Sequence, residues 1–527
     1  MAPSTLYLVI PAGPSAHGES IYPPVIPRGA LQLASAATAH GWRVRIFDGY
    51  SFPDSLPEQF DEADVVGISV HGAPSIEPAI GVIRDIRRHL SSVPLLIGGN
   101  LAEVDSRLLA SALPEGVHVI SGGIAGAIKV LNELSSATMA STPWPALDYD
   151  TLAQGIGAYL QHPDFEYHLE TRRGCPYLCF HCGTARTTVD RPPSSLEDEL
   201  TSMADLAAAH GVAMPKLWVT DETFTANIEH AVAVCDLFAT FPGIEWRAQT
   251  RVDCVTPRIL ERMAHAGCQS VAFGVEVPSD DGLALFGKQE EMVCAREAFR
   301  WAHAAGMKAE AILVFGAPRD KSTFANIFAT LAQLGADTLQ SYIYHPVPGS
   351  PWWLKYGSAR VPPTPKEWSR LDFHSPPVTA TSRAHDADAI ARFLASLVWR
   401  PESARADENA MTWREMLGSG ASCPDCGTAV TPDVYAHHAD ISVFRVAHPG
   451  SVIYVAVGRD EVIAFRRTGH HVNIHTVTRY LLDDSISDGL VYLCPRCAIL
   501  SQSVSKSISE RLANGEGVPA PETLRSA

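Results

Sequence analysis

Short apolar runs alternate with helical patterns over residues 1–135. TLYLVI (5–10), WRVRIFD (42–48), DVVGISV (64–70), PLLIGG (94–99) and VHVISGG (117–123) have the length and composition of buried strands. RGALQLASAATAHG (28–41), SIEPAIGVIRDIRRHL (75–90) and IAGAIKVLNEL (124–134) instead repeat apolar residues at helical spacing. Strands alternating with helices predict an α/β fold, here a doubly wound, Rossmann-like parallel sheet. Ligands of such sheets bind at the carboxyl ends of the strands. Residues 136–164, rich in Ser, Thr and Pro, read as a linker.

The alternation resumes over 165–350. FEYHLETRRG (165–174), KLWVT (216–220), IEWRAQTR (244–251), SVAFGVE (270–276), AEAILVFG (309–316) and TLQSYIYHP (338–346) read as strands. Helical patterns such as MVCAREAFRWAHAAG (292–306) fill the gaps. Six strand–helix units predict a partial (β/α)6 barrel, with its chemistry where strands pass into loops. Residues 351–420 read as a helical connector, 421–500 as a small module with strands at SVIYVAVG (451–458) and EVIAFRR (461–467), and 501–527 as a polar tail.

The 527 residues suggest roughly three or four domains. No run approaches the roughly 20 apolar residues of a membrane helix. The apolar Leu6–Ile10 has no basic stretch before it, so it reads as a strand and not a signal peptide. These features predict a cytoplasmic protein that engages no membrane. A net charge of −17 argues against nucleic-acid binding, which needs clustered Lys and Arg.

Eleven cysteines are unevenly placed. Cys235, Cys254, Cys268 and Cys294 sit singly in periodic segments and read as buried packing. Cys175, Cys179 and Cys182 lie within eight residues, in RGCPYLCFHCG, just after the first barrel strand. Three thiolates on one loop can hold three irons of a four-iron cluster and leave the fourth open to a chelating substrate. Zinc is the alternative, with His181 or His168 as its further ligand. The position at a strand end of a βα array favours the cluster.

At these residues the chain resembles the radical S-adenosylmethionine (SAM) superfamily, whose signature spacing is Cys-x3-Cys-x2-Cys. The resemblance runs over about 165–350 and implies a [4Fe-4S] cluster that cleaves SAM. It also implies SAM contacts at Asp221 and Glu222 in TDETF (220–224), Arg251 in RAQTRVD (247–253), Glu276 in FGVEVPS (273–279) and Gly316 in VFGAP (314–318). Family members usually carry an aromatic residue before the last cysteine; here it is His181, whose planar ring can stack similarly. Asp253 reads as the N-cap of TPRILERM.

A sheet domain preceding such a core resembles the cobalamin-dependent (class B) radical SAM methyltransferases. The matching segments are 23–49, DVVGISV, LLIGGN (95–100) and VISGGIAGA (119–127). The cobalt-ligating motif Asp-x-His-x-x-Gly is absent, which implies corrin binding without a lower histidine. The strand-end residues Ser69, His71, Gly98, Gly99, Gly122 and Gly123 are then the expected cobalamin contacts. The pairs Cys423/Cys426 and Cys494/Cys497 suit a tetrahedral zinc site, with an auxiliary iron–sulfur cluster as the rival.

The resemblance implies methyl transfer to an unactivated carbon of a natural-product intermediate, a small molecule or a peptide. It also implies an external electron donor such as flavodoxin or ferredoxin. Rearrangement or oxidation with the same cofactors, a methylthiotransferase-like reaction, and a non-catalytic metal-binding role are the alternatives.

Overall fold

The computed structural model describes residues 4–357, except 12–22, 53–55, 58–59, 73–74, 136–137, 140–141, 316, 318–329, 332 and 345–346. Beyond 357 it describes the strands within 441–502. The chain divides into two compact units: residues 1–249, 261–269 and 346–372, and residues 250–260, 270–345 and 373–527.

In the first unit, five parallel strands form one sheet: β1 (Thr5–Ile10), β2 (Arg43–Asp48), β3 (Val65–Ser69), β4 (Leu95–Gly98) and β5 (Val117–Val119). Their order is β2-β1-β3-β4-β5. The connecting helices are α1 (Arg28–Thr38), α2 (Ile76–His89), α3 (Asn100–Ala112) and α4 (Gly123–Leu134). All six residues of β1 are buried, as a strand between two neighbours with helices on both faces requires. The core includes Val9, Val66, Ile68, Ile80, Ile83, Leu95 and Ile97. The switch between β1 and β3 is where a doubly wound sheet opens a crevice for ligands.

The stretch read as a linker is packed rather than loose. Its aromatic residues, diluted among Ser, Thr and Pro, find partners in the sheet. Tyr159 is fully buried and its hydroxyl donates to Asp48 (2.9 Å), while Tyr149 and Tyr167 share a hydroxyl contact of 2.7 Å. Ala153 extends the edge of β2 by donating to Ile46 O (2.9 Å). A short helix, α5 (Gly157–Leu160), leads on to β6 (Glu166–Leu169).

After β6 come the two-residue strands β7 (Arg172–Arg173) and β8 (Val189–Asp190), then α6 (Pro193–Ala209), β9 (Lys216–Val219), α7 (Ile228–Phe238), β10 (Trp246–Thr250) and α8 (Pro257–His265). β6, β9 and β10 pair in parallel in that order. Asn227 caps α7 by accepting from His230 N (3.3 Å).

The second unit holds β11 (Cys268–Glu276), α9 (Asp280–Leu285), α10 (Met292–Ala304), β12 (Lys308–Phe315) and β13 (Thr338–Ile343), with β11, β12 and β13 paired in parallel. The six strands expected for the barrel are therefore all formed. Beyond them, β14 (Ile441–His448), β15 (Ser451–Gly458), β16 (Glu461–Arg466), β17 (Leu490–Leu493) and β18 (Leu500–Gln502) make an antiparallel sheet of order β16-β15-β14-β17-β18. Cys423, Cys426, Cys494 and Cys497 lie outside the described residues, as does Gly316. Among the single cysteines, Cys235 and Cys268 are buried as expected, while Cys254 and Cys294 are only half-buried.

Candidate active site

The cysteine loop follows β6 and is closed by a miniature hairpin, in which Arg172 pairs with Asp190 and Arg173 with Val189. Gly174 opens it with φ +75°, and a Cβ there would overlap the carbonyl of Thr187, so only glycine fits. Cys175 N donates to Ala185 O (2.9 Å) and Cys182 N to Cys179 O (3.3 Å). Arg186 spans the loop, donating to Tyr177 O and Cys182 O. Cys175 is buried, Cys179 and Cys182 are half-buried, and none of the three forms a disulfide. The Thr223 hydroxyl lies 3.5 Å from Cys175 Sγ, and Thr184 N donates to Cys182 Sγ (3.4 Å).

Among the described residues no three His, Cys, Asp or Glu side chains converge as ligands of a single ion. A four-iron cluster asks something different, one thiolate per iron with the ligands standing around it. A short loop carrying three reduced thiols, with backbone and hydroxyl donors beside the sulfurs, fits that demand. His181 lies 6.4 Å from the Trp352 ring, tilted by 57°, and Trp352 N donates to Phe180 O (2.9 Å).

Asp221 follows β9 and is 1% exposed. Its Oδ1 accepts from Thr171 N (2.8 Å) and Arg172 N (3.0 Å), and its Oδ2 accepts from the Thr171 hydroxyl (2.5 Å). Burial raises its pKa to about 7 against the opposing pull of those hydrogen bonds. The side chain expected to contact SAM thus braces the entry to the cysteine loop. Glu222 points to solvent, with its pKa raised by the surrounding protein and by Glu170.

The second unit gathers the other expected contacts into one charged cluster. Glu276 ends β11 with φ +56°, and among the described residues it alone, apart from glycines, has positive φ. Such a conformation costs a non-glycine residue about 1–2 kcal/mol and survives only where surroundings hold it. Lys288 does this: its Nζ reaches Glu276 (2.9 Å), Glu290 (3.5 Å) and Gly274 O (2.6 Å). Arg251, just past β10, pairs with Glu290 and Asp253. The Lys288 and Glu290 side chains are 3% and 0% exposed.

Sequence reading missed Lys288 and Glu290 because GKQEE (287–291) looks like a solvated turn. The available signal was a lysine and glutamates flanking a glycine between two helical patterns. Asp253 is not the N-cap of α8. Its carboxylate is drawn to Arg251, and the Thr256 hydroxyl instead accepts from Ile259 N (3.4 Å). Burial would raise the Asp253 pKa, but the bond and charge of Arg251 lower it.

At the carboxyl edge of the first sheet, Ser69 ends β3, Gly98 ends β4 and Gly99 leads into α3. Gly99 has φ +109°, and a Cβ there would overlap the backbone of Val70, so chain proximity dictates this glycine. Gly122 and Gly123 have φ +85° and +57° and open α4, where Gly123 N donates to Glu103. His71 is open to solvent, yet burial by surrounding protein lowers its pKa while Asp48 opposes the shift.

A family model described as the B12 binding domain matches residues 15–129, and one described as the Radical SAM superfamily matches 169–331. The B12-binding match lies ahead of the radical SAM match along the chain. An uncharacterized methyltransferase, PH0819, of Pyrococcus horikoshii is 28% identical over 189 residues, covering 35% of this chain and 40% of the relative. The anaerobic magnesium-protoporphyrin IX monomethyl ester cyclase of Cereibacter sphaeroides is 22% identical over 262 residues, covering 48% and 40%. The chain therefore spans 40% of the length of each of these relatives.

Among solved structures, the radical SAM methyltransferase TsrM from Kitasatospora setae, with cobalamin and a [4Fe-4S] cluster bound, matches at TM-score 0.53 and 18% identity, covering 67% of this chain and 77% of that one. This likeness establishes a shared fold.

Proposed function

We propose that this B12-binding radical SAM protein is a cobalamin-dependent methyltransferase acting on a carbon of a natural-product intermediate. The observation that carries the reading is the braced cysteine loop at the end of β6, in a chain that also holds a sheet matching the B12 binding domain. Cys175, Cys179 and Cys182 would hold the cluster. Arg251 and Glu276, held by Lys288 and Glu290, would bind SAM, while Ser69, His71, Gly98, Gly99, Gly122 and Gly123 would border the corrin. When bound, the cluster supplies the electron that opens the SAM sulfonium and the corrin carries the methyl group.

This chain's residues position and shield. Asp221 fixes the turn that enters the cysteine loop, and Arg186 ties its two halves. Lys288 pairs with the carboxylate of Glu276 and holds it in place. An external donor of the flavodoxin or ferredoxin type would deliver the electron, and the C-terminal cysteine pairs would hold zinc. Among the described residues no helix is long and apolar enough to cross a membrane.

The test is anaerobic reconstitution of the full chain beside Cys179→Ala, with iron and cobalamin measured on both. The variant should lose the cluster and keep cobalamin, and the intact chain should pass label from methyl-labelled SAM to product. A chain without a SAM-responsive cluster would end the enzyme reading. A second reading, rearrangement or oxidation without methyl transfer, would consume SAM and leave the product unlabelled; that one relative is named a cyclase favours it.

A further inference from the structure

One face of β6, β9 and β10 carries a row of polar and aromatic side chains that the reading above leaves unused. Its direction follows from contacts. Tyr167 of β6 donates to Glu199 on α6 (2.6 Å), and Trp246 of β10 packs on Phe238 of α7 and donates to Ala266 O just after α8 (2.7 Å). In register, Tyr167 stands opposite Leu217 and Leu217 opposite Trp246, and Leu169, Val219 and Ala248 repeat the arrangement. All six are buried, so the helices cover this side. Side chains alternate along a strand, which puts Glu166, His168, Trp218, Arg247 and Gln249 on the opposite face. All five are half-buried.

In a closed βα-barrel that face is normally packed with branched aliphatic residues. Here it is a built polar surface. The Arg247 guanidinium lies 3.9 Å above the centre of the Trp218 ring and is held in place by Glu166 at 2.6 and 3.1 Å. His168 meets the same indole edge-on at 4.7 Å. Arginine and tryptophan therefore form a fixed flat platform whose one cation is already neutralised. The imidazole of His168 and the amide of Gln249 make no hydrogen bond among the described residues. Burial lowers the His168 pKa to about 4, against Glu166 and with Arg247 and Arg28, so its ring is neutral near pH 7 and can both donate and accept.

Resting on the reading of the chain as a radical SAM enzyme, we propose that this face selects the substrate through a neutral planar group that both donates and accepts hydrogen bonds, an amide or a nitrogen heterocycle, and rejects carboxylate and phosphate. Trp218 with Arg247 supplies the flat contact, and His168 and Gln249 supply the polar ones. An anionic group would face Glu166, and the one cation of this face among the described residues, Arg247, is already paired with it; an unpaired charge is costly to desolvate. A purely apolar group would bury His168 and Gln249 without partners, which is also unfavourable. The neutral hydrogen-bonding group satisfies both constraints, and such sites discriminate strongly against analogues lacking the polar function.

Matched probes test this on the full reconstituted chain: nicotinamide against nicotinate and benzamide against benzoate, with binding followed by titration calorimetry and ligand-observed NMR at pH 7. Each amide should bind at least about tenfold more tightly than its acid, with dissociation constants in the millimolar range expected of fragments. His168→Leu and Gln249→Leu should each erase the preference, Gln249→Glu should abolish amide binding, and Trp218→Ala should weaken every probe.

Circular dichroism and hydrogen exchange on each variant show whether it has folded, and the isosteric Gln249→Glu carries the test if a leucine variant has not. Acids binding as well as amides, no amide binding at about 10 mM, or a preference unchanged in the folded variants would overturn the proposal. Cluster content and SAM cleavage are measured on the same samples. Failure there with the amide preference intact would remove the methyltransferase reading alone, and the reverse pattern would remove this one alone.

Discussion

Replacing Glu199 by leucine tests what holds α1 against α6 within the first unit. The carboxylate is buried and accepts from both terminal nitrogens of Arg28 (2.7 and 2.8 Å) and from the Tyr167 hydroxyl (2.6 Å), and it pairs with Arg191 (2.7 Å). Burial alone would raise its pKa. The charge and hydrogen bonds of Arg28, then Arg191 and Tyr167, reverse this and bring it from 4.5 to about 2. A drop of that size corresponds to about 3 kcal/mol of stability at neutral pH. Leaving two guanidinium groups buried without their anion independently predicts about 3–5 kcal/mol.

Because the folded pKa is depressed, this contribution is present above the ordinary carboxylate range and is lost as pH falls through about 2. Amide hydrogen exchange on the intact chain at pH 7 reads the effect. Glu199→Leu should speed exchange in α1 and α6 by about a hundredfold. The triple variant Arg28→Met, Arg191→Met, Glu199→Leu should recover most of it, since an apolar replacement of the whole set strands no charge. Exchange within about threefold of wild type in Glu199→Leu would refute the reasoning.

Three further outcomes are expected. Gly99→Ala should destabilise the first sheet by more than about 1 kcal/mol, because the backbone of Val70 occupies the methyl position, and should lower cobalamin retained after gel filtration; normal thermal stability would contradict this. Asp221, with its pKa raised to about 7, contributes stability that is fully present below about pH 4 and lost as pH rises through 7, so Asp221→Asn should flatten the dependence of the unfolding midpoint over that window. Lys288→Met should weaken SAM binding at least about tenfold in equilibrium dialysis, because Glu276 and Glu290 lose a buried cation; unchanged affinity would remove the cluster from the SAM site.

Most strands were legible because each is a short apolar run between turn residues: β1 to β7 and β9 to β13 fall on the segments that pattern marks, while the two-residue β8 does not. The cysteine loop was legible from spacing and from its place after β6. What escaped the sequence depends on which residues meet across distance. Lys288 is a polar residue after a helix until the return of α9 brings it to the carbonyl of Gly274. Tyr159 lies in a Pro-rich stretch until Asp48, more than a hundred positions earlier, receives its hydroxyl. Asp221 carried the right chemistry for a ligand contact, and only its enclosure by Thr171 and Arg172 shows it as a brace.

The position of β1 has a consequence for how the chain reaches this fold. Its six buried residues pair with Arg43–Asp48 on one side and with Val65–Ile68 on the other, so both partners lie roughly forty to sixty residues downstream. During synthesis β1 leaves the ribosome as an apolar ribbon with two bare edges. At translation rates of about 5–20 residues per second it waits for seconds before β3 closes the second edge. That interval, more than the finished sheet, is when the two bare edges are open to wrong pairing, and a slower codon run between β2 and β3 would lengthen it.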